Sequence, residues 1–420
     1  MKPKLLTTLQ SYSIKLLIAD GIAGVTVAMV ALPLSIAIAI ASGAQPAAGL
    51  VTAVIGGFFV SALGGSRVQI GGPTGAFIVV VYGVIQQFGF DGLLLATLMA
   101  GIILVIGGLL KAGRLIALIP ESVIEGFTIG IAVIIAVSQL KDLLGKTVAK
   151  MPAELIQILP ALWEARETIN LSALAIGSCA ILLIVTLNRV AARLPGSIIA
   201  IAAASAAVAF LALPVETLHS RFGSLPNGLP MIALPPISWD RIIQLLPSAF
   251  VIAFLAGVES LLSALVADRM IGGAHRSNAE LIAQGAANIA SPLFGGLPAT
   301  GAIARTATNV RAGGRTPVAG IVHAGAILLV MVAAAPLAGY LAMPALAGLL
   351  IVTAWVMSEP HRWPERLRAR SSDRFLLFLT FGLTVLSSLT VAIAVGTAVG
   401  LAQRLLRRDA PPADWSSPER

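Results

Sequence analysis

The sequence predicts an all-α integral membrane protein with fourteen transmembrane segments in a seven-plus-seven inverted repeat. Hydrophobic residues make up 57% of its 420 positions and charged residues 11%, and the mean hydropathy is +0.95. Stretches such as Gly21 to Ile40, Leu93 to Leu110 and Leu171 to Leu187 are continuously apolar. Their lengths approach or reach the roughly 20 residues an α-helix needs to cross about 30 Å of hydrocarbon. A β-barrel would instead alternate in polarity over segments of about 10 residues. The third observation is an echo: GGPTGAF from Gly71 returns as GGLPATGAI from Gly295, so Thr74-Gly75-Ala76 recurs as Thr300-Gly301-Ala302. Corresponding Gly/Pro breaks in two apolar halves point to an inverted-repeat carrier with its ligand site near the bilayer midplane.

Residues 1–19 read as a cytoplasmic lead-in, because no small-residue cleavage site follows and the next apolar run is too long for a signal peptide. The first repeat, 20–213, carries segments at 20–42, 46–63, 74–87, 92–110, 120–138, 170–188 and 196–213. A polar, Pro-rich connector fills 214–240. The second repeat, 241–408, carries segments at 243–267, 279–291, 300–311, 317–335, 340–357, 373–388 and 390–406, and a short tail follows at 409–420. An odd number per repeat makes the halves run oppositely through the membrane.

Charge fixes the orientation. With the N-terminus inside, 21 of the 28 basic residues fall on the cytoplasmic side, Arg114, Arg193, Arg407, Arg408 and Arg420 among them. Only Lys141, Lys146, Lys150, Arg166, Arg221 and Arg241 fall outside, and Arg305 lies within the apolar zone. Both termini are therefore expected in the cytoplasm, the chain being multi-pass in a plasma membrane of the bacterial inner-membrane type. The formal net charge of +9 then belongs to cytoplasmic loops and not to a nucleic-acid footprint. Cys179 is the one cysteine, so no internal disulfide forms, and four scattered histidines make no metal constellation. No cofactor is expected. An enzyme is disfavoured too, since no nucleophile–base pair appears and the few acids are isolated.

The third and tenth segments carry the chemistry. Gly71, Gly72 and Pro73 precede Thr74, and Gly295, Gly296 and Pro298 precede Thr300. Each helix is expected to start partway across the bilayer, at these threonines, after a short extended stretch. Two helix N-termini, with free amides and positive dipole ends, would then converge on one anion. Arg305, five residues after Thr300, costs on the order of 2.5–3.5 kcal/mol at bilayer centre and so needs a partner or a watery cavity. It reads as a fixed charge that draws anions, or else as a residue snorkelling to the cytoplasmic side beside Arg311 and Arg315. Glu259 is the one acid embedded in the eighth segment before Asp268, with Ser260 beside it and Ser263 four positions on, on the same face. It could bind a proton, ligate Na⁺ or simply pair with Arg305. Ser35, after Pro33, would mark an unwound turn that lends backbone to the cavity. Glu121 and Glu125 read as a solvated face near a helix end, and Asn288 as an inter-helix hydrogen-bonder.

The runs from Asp20 (DGIAGVTVAMVALPLSIAIAIASGAQPAAGL), Gly64 (GGSRVQIGGPTGAF), Glu121 (ESVIEGFTIGIAVIIAVSQL) and Glu280 (ELIAQGAANIASPLFGGLPATGAIARTATNVRAGG, continuing RTPVAGIVHA) resemble the SulP family of anion transporters. The family includes sulfate permeases, bicarbonate transporters, pendrin and prestin, and the likeness spans residues 10 to 408. It implies a core domain (segments 1–4 and 8–11) moving against a gate domain (segments 5–7 and 12–14). It places the anion site at Thr74, Gly75, Ala76, Thr300, Gly301 and Ala302, and matches Arg305 to an arginine that influences anion binding. Glu259 matches a coupling acid, proton-binding in some members and Na⁺-binding in another, with Ser263 at a neighbouring Na⁺ position. An Na⁺ ion would thus sit at Glu259, Ser263 and Thr300.

Two departures qualify the resemblance. Where many sulfate permeases carry Pro-Gln-(Gly/Ser)-Met-Ala-Tyr, this chain reads Pro33-Leu34-Ser35-Ile36-Ala37-Ile38, which removes a polar and an aromatic group from the cavity wall. The second departure is at the end of the repeat: after residue 408 only a short tail is expected, and not the STAS domain that family members usually carry. The expectation is secondary active transport of a small anion (sulfate, bicarbonate or a dicarboxylate) by proton- or Na⁺-coupled symport, with the lipid bilayer as the other partner and a homodimer left open. A nucleobase–cation symporter of the same fold and an uncoupled anion channel are the alternatives.

Overall fold

A computed structural model describes residues 2–113, 120–148, 151–152, 155–191, 195–387 and 389–406. Arg114, Lys150, Arg193, Arg407, Arg408 and Arg420 of the charge argument, and the predicted tail 409–420, lie outside the described residues.

Among the described residues, thirteen helices correspond to the predicted spanning segments: α1 (Ile14–Ala41), α2 (Pro46–Leu63), α3 (Ile78–Leu109), α4 (Glu121–Ser138), α5 (Leu171–Val190), α6 (Gly196–Phe210), α7 (Trp239–Ile271), α8 (Ser277–Leu293), α9 (Ile303–Arg311), α10 (Val318–Ala333), α11 (Met343–Met357), α12 (Ser371–Leu386) and α13 (Leu389–Leu406). Inside α3, Gly89 takes φ 74° and ψ 177° and breaks the helix in two, which restores the separate third and fourth segments. Fourteen segments result. Only glycine enters that backbone region without strain. The first spanning helix starts earlier than expected, at Ile14, because Ser13 caps it by accepting from the Leu16 N–H at 3.3 Å. The lead-in is thereby reduced to a helix at Lys4–Thr8 and one 3₁₀ turn, Leu9–Ser11.

The chain divides into two compact units interleaved in sequence. One holds the described residues of Met1–Ile116 with Ser224–Ala338, and the other those of Ala117–Gly223 with Gly339–Ala413. Each unit thus draws helices from both halves of the chain. In the first, α8 packs on α2 and α3, α7 on α3 and α9, and α10 on α1 and α2. Asp20 near the start of α1 accepts from the backbone N–H groups of Arg315 (2.8 Å) and Thr316 (3.1 Å) and from the Tyr12 hydroxyl (3.0 Å). In the second unit, α12 packs on α4 and α13, and α11 on α4 and α5. Large apolar side chains such as Leu182, Phe210 and Ile106 are exposed, an outward face that suits lipid and not water.

Two polar clusters belong to the second unit. Glu125 is largely buried and pairs with Arg362 (3.2 Å) and Arg366 (2.9 Å), while Glu121 pairs with Arg362 (3.0 Å). The expected solvated face is instead an ion-pair network, since Arg362 and Arg366 fold back onto α4. Arg221 pairs with Asp142 at 2.7 Å and with Glu216. Burial pulls the Arg221 guanidinium down, yet the two carboxylates more than offset it and hold the group above its ordinary range.

Candidate functional site

Gly71–Gly72 (β1) and Thr300–Gly301 (β2) form an antiparallel pair, Gly71 opposite Gly301 and Gly72 opposite Thr300. The two broken stretches of the sequence echo are therefore hydrogen-bonded to each other. Thr74 follows β1 in extended conformation, and a 3₁₀ turn, Gly75–Phe77, leads into α3. On the second side the helix begins later than expected. Thr300 and Gly301 stay in the strand, Ala302 is the extended residue before α9, and the Ala302 N–H donates to the Ile70 carbonyl at 2.8 Å. The ladder holds Thr300 out of the helix, and the first-turn amides open to a ligand belong to Ile303 and its successors. Neither threonine hydroxyl is idle. Thr74 donates to Glu259 at 2.8 Å and Thr300 to the Ala256 carbonyl at 3.0 Å, so both turn onto α7.

Arg305 lies in the first turn of α9 and is 2% exposed, so it does not snorkel. Its Nη2 donates to the Pro73 carbonyl (3.0 Å) and to Ser35 Oγ (3.2 Å), while Nε and Nη1 have no protein partner. Gly72 has φ 147°, and a Cβ there would collide with Nη1, so the strand glycine makes the space that the guanidinium fills. Ser35 contributes its hydroxyl and not its backbone, because α1 runs unbroken through Pro33. No Glu259–Arg305 ion pair forms within 4 Å among the described residues. Glu259 takes its hydrogen bond from Thr74 and meets Arg305 only as a longer-range attraction. Ser263 is fully buried and spends its hydroxyl on Thr306, 3.1 Å away. Among the described residues no hydrogen bond links Glu259 to Ser263 or to Thr300.

Irregular backbone at membrane depth survives only if its polar groups are satisfied, and here side chains satisfy them. Asn288 accepts from the Ala299 N–H (3.0 Å) and donates to its carbonyl (2.7 Å). The Leu297 N–H donates to Thr52 (2.6 Å) and its carbonyl accepts from Ser291 (2.7 Å). Before β1, the Ile70 N–H donates to Thr306 (3.1 Å), the Val68 carbonyl accepts from Asn309 (2.8 Å), and the Gly65 and Ser66 N–H groups donate to Glu280 (2.8 and 3.1 Å). Sequence reasoning foresaw only Asn288, and as a bridge between helices. The signal that could have found the rest was a set of isolated polar residues inside apolar runs close to each Gly/Pro break.

The sequence matches the sulfate permease family over residues 17–380. It is 42% identical over 388 residues to YvdB of Bacillus subtilis (strain 168), which carries a provisional sulfate-transporter assignment; the match covers 92% of this chain and 73% of that one. This chain belongs to the sulfate permease family. Another member, the bicarbonate transporter BicA of Picosynechococcus sp. (strain ATCC 27264 / PCC 7002 / PR-6), is 33% identical over 90% of this chain and 69% of its own. Among solved structures, the transmembrane domain of a cyanobacterial BicA superposes with a TM-score of 0.82 at 31% identity, covering 91% of this chain and 98% of that one. SLC26A9 superposes with a TM-score of 0.86 at 20% identity over 96% of this chain and 68% of its own, which carries the fold alone. This sulfate permease family chain is accordingly a membrane transporter and not an enzyme.

Proposed function

We propose that this protein is a secondary active carrier that moves a small oxyanion across the bacterial inner membrane by alternating access, coupled to a proton or Na⁺. The observation that carries the reading is Arg305, a buried guanidinium whose Nε and Nη1 have no protein partner. A buried cation with unspent donors is matched by an anion that accepts charge-assisted hydrogen bonds. Thr74, Gly75 and Ala76 on one side and Thr300, Gly301 and Ala302 on the other would frame that anion, with the first turn of α9 adding backbone donors. The named relatives support sulfate or bicarbonate as cargo, and the same donors would accept a dicarboxylate. Glu259 is the coupling group in this reading, with Ser263 and Thr300 as further oxygens should the co-ion be Na⁺.

Uptake of labelled sulfate, bicarbonate and fumarate into proteoliposomes, each under an imposed pH gradient and then an Na⁺ gradient, tests the proposal. Uphill accumulation of one anion under one of the two gradients is the expected result. Passive equilibration without accumulation would replace the carrier with an uncoupled channel.

A further inference from the structure

Glu280, in the first turn of α8, is fully buried and was not legible as a site residue. Its Oε2 accepts from the backbone N–H groups of Gly65 (2.8 Å) and Ser66 (3.1 Å), and its Oε1 accepts from Gln284 Nε2 (3.0 Å) and Ser260 Oγ (3.2 Å). A carboxylate only accepts, so the Ser260 hydroxyl proton points to Glu280. The Ser260 oxygen is then left as an acceptor, and Gln69 Nε2 donates to it at 2.9 Å and to the Ser260 carbonyl at 3.2 Å. The order of donors along this chain fixes which end of the Gln69 amide faces Ser260. The amide in turn lies directly against Gly301, where an added Cβ would overlap it, and Gly301 is the partner of Gly71 in the ladder. Ser260 is also the neighbour of Glu259, the acceptor of the Thr74 hydrogen bond.

We infer that Glu280 is a positioning residue for the anion site: through Ser260 and Gln69 it sets the place of Gly301, and through Gly65 and Ser66 it sets the run into β1. The inference rests on the anion-site reading above. Of the three side chains, Gln69 lies against Gly301, and the three stand on three different elements: the stretch before β1, α7 and α8. A shared hydrogen-bond chain joins those elements here, alongside the packing of α7 on α8 and on β2, and it ties the two strands and the Glu259 helix to one register while it is intact.

Binding of sulfate and of bicarbonate to the purified full chain in nanodiscs, by calorimetry, tests this alongside thermal melting. Glu280→Gln places an amide NH₂ against two of the four donors. It is expected to weaken binding of whichever anion the wild type takes by on the order of tenfold, the size of one lost charge-assisted hydrogen bond. Ser260→Ala and Gln69→Ala are expected to weaken it by roughly 3- to 10-fold each, and the double variant by no more than the worse single, because both cut one chain. Should Glu280→Gln fail to fold, this milder pair decides. Lower melting temperatures with wild-type affinity, or penalties that simply multiply in the double variant, would overturn the inference. Arg305→Ala separates the two layers: weakened binding there with wild-type affinity in the three variants sinks only the positioning role, while wild-type affinity throughout sinks the anion site with it.

Discussion

At the scale of single residues, the proposed site centres on one cation and one acid held apart. Arg305 is tied to the Pro73 carbonyl and Ser35 on one edge, and Glu259 is tied to Thr74. A directly paired Arg–Glu would neutralise itself and leave little field for a ligand, whereas separated charges leave each available to its own ion. Arg305→Ala is expected to weaken anion binding on the order of 10- to 100-fold, from the 1.5–3 kcal/mol typical of a hydrogen bond to a charged group. Arg305→Lys should fall between, keeping the charge and losing the fork. Isothermal titration of the purified transporter with sulfate or bicarbonate reads both variants. Glu259→Gln should act differently. Its amide oxygen can still accept from Thr74, so anion binding and counterflow should persist in proteoliposomes while gradient-driven accumulation falls to equilibrium. Undiminished accumulation by that variant would remove Glu259 from coupling.

At the scale of elements, the problem is how a helix can be interrupted inside hydrocarbon. β1 and β2 satisfy each other across the ladder, and the flanking extended residues are satisfied by Thr52, Glu280, Asn288, Ser291, Thr306 and Asn309. Asn288 is the most exacting of these, because its amide closes two bonds with the one residue Ala299. Asn288→Ala would leave a buried N–H and a buried carbonyl unpaired, at about 1–3 kcal/mol each. It is expected to lower the melting temperature of the detergent-solubilised protein by several degrees and to reduce uptake. An unchanged melting temperature would mean that water replaces the amide. The paired breaks and the fourteen segments were legible because Gly/Pro runs and apolar length are local signals. The start of α9 was not, since only pairing with β1 keeps Thr300 extended. Nor was Glu280, because the backbone N–H groups that take one of its two oxygens lie more than 200 positions away, and its nearby partner Gln284 is on the same helix and does not point to a site. Glu125 misled for the same reason, its arginine partners lying beyond residue 360.

At the scale of the whole molecule, the remaining question is which way the chain faces, and charge argues one answer. With the N-terminus inside, 21 of 28 basic residues lie on the cytoplasmic side, and each positive charge carried outward against the membrane potential costs about 2.3 kcal/mol per 100 mV. The reversed topology would carry most of them outward, so the charge bias opposes it strongly. Cys179 is the sole cysteine and is exposed, so a Cys179→Ser background permits single-cysteine mapping. Thr7 and His361 are exposed on segments expected inside, and Glu167 and Asn227 are exposed on segments expected outside. In right-side-out membrane vesicles, a membrane-impermeant maleimide should label Glu167→Cys and Asn227→Cys directly, and Thr7→Cys and His361→Cys only after permeabilisation. The inverse pattern would reverse the orientation while leaving the site geometry intact. Labelling of Glu167→Cys together with His361→Cys in sealed vesicles would break the parity on which the inverted repeat depends, because an odd number of crossings separates those two loops.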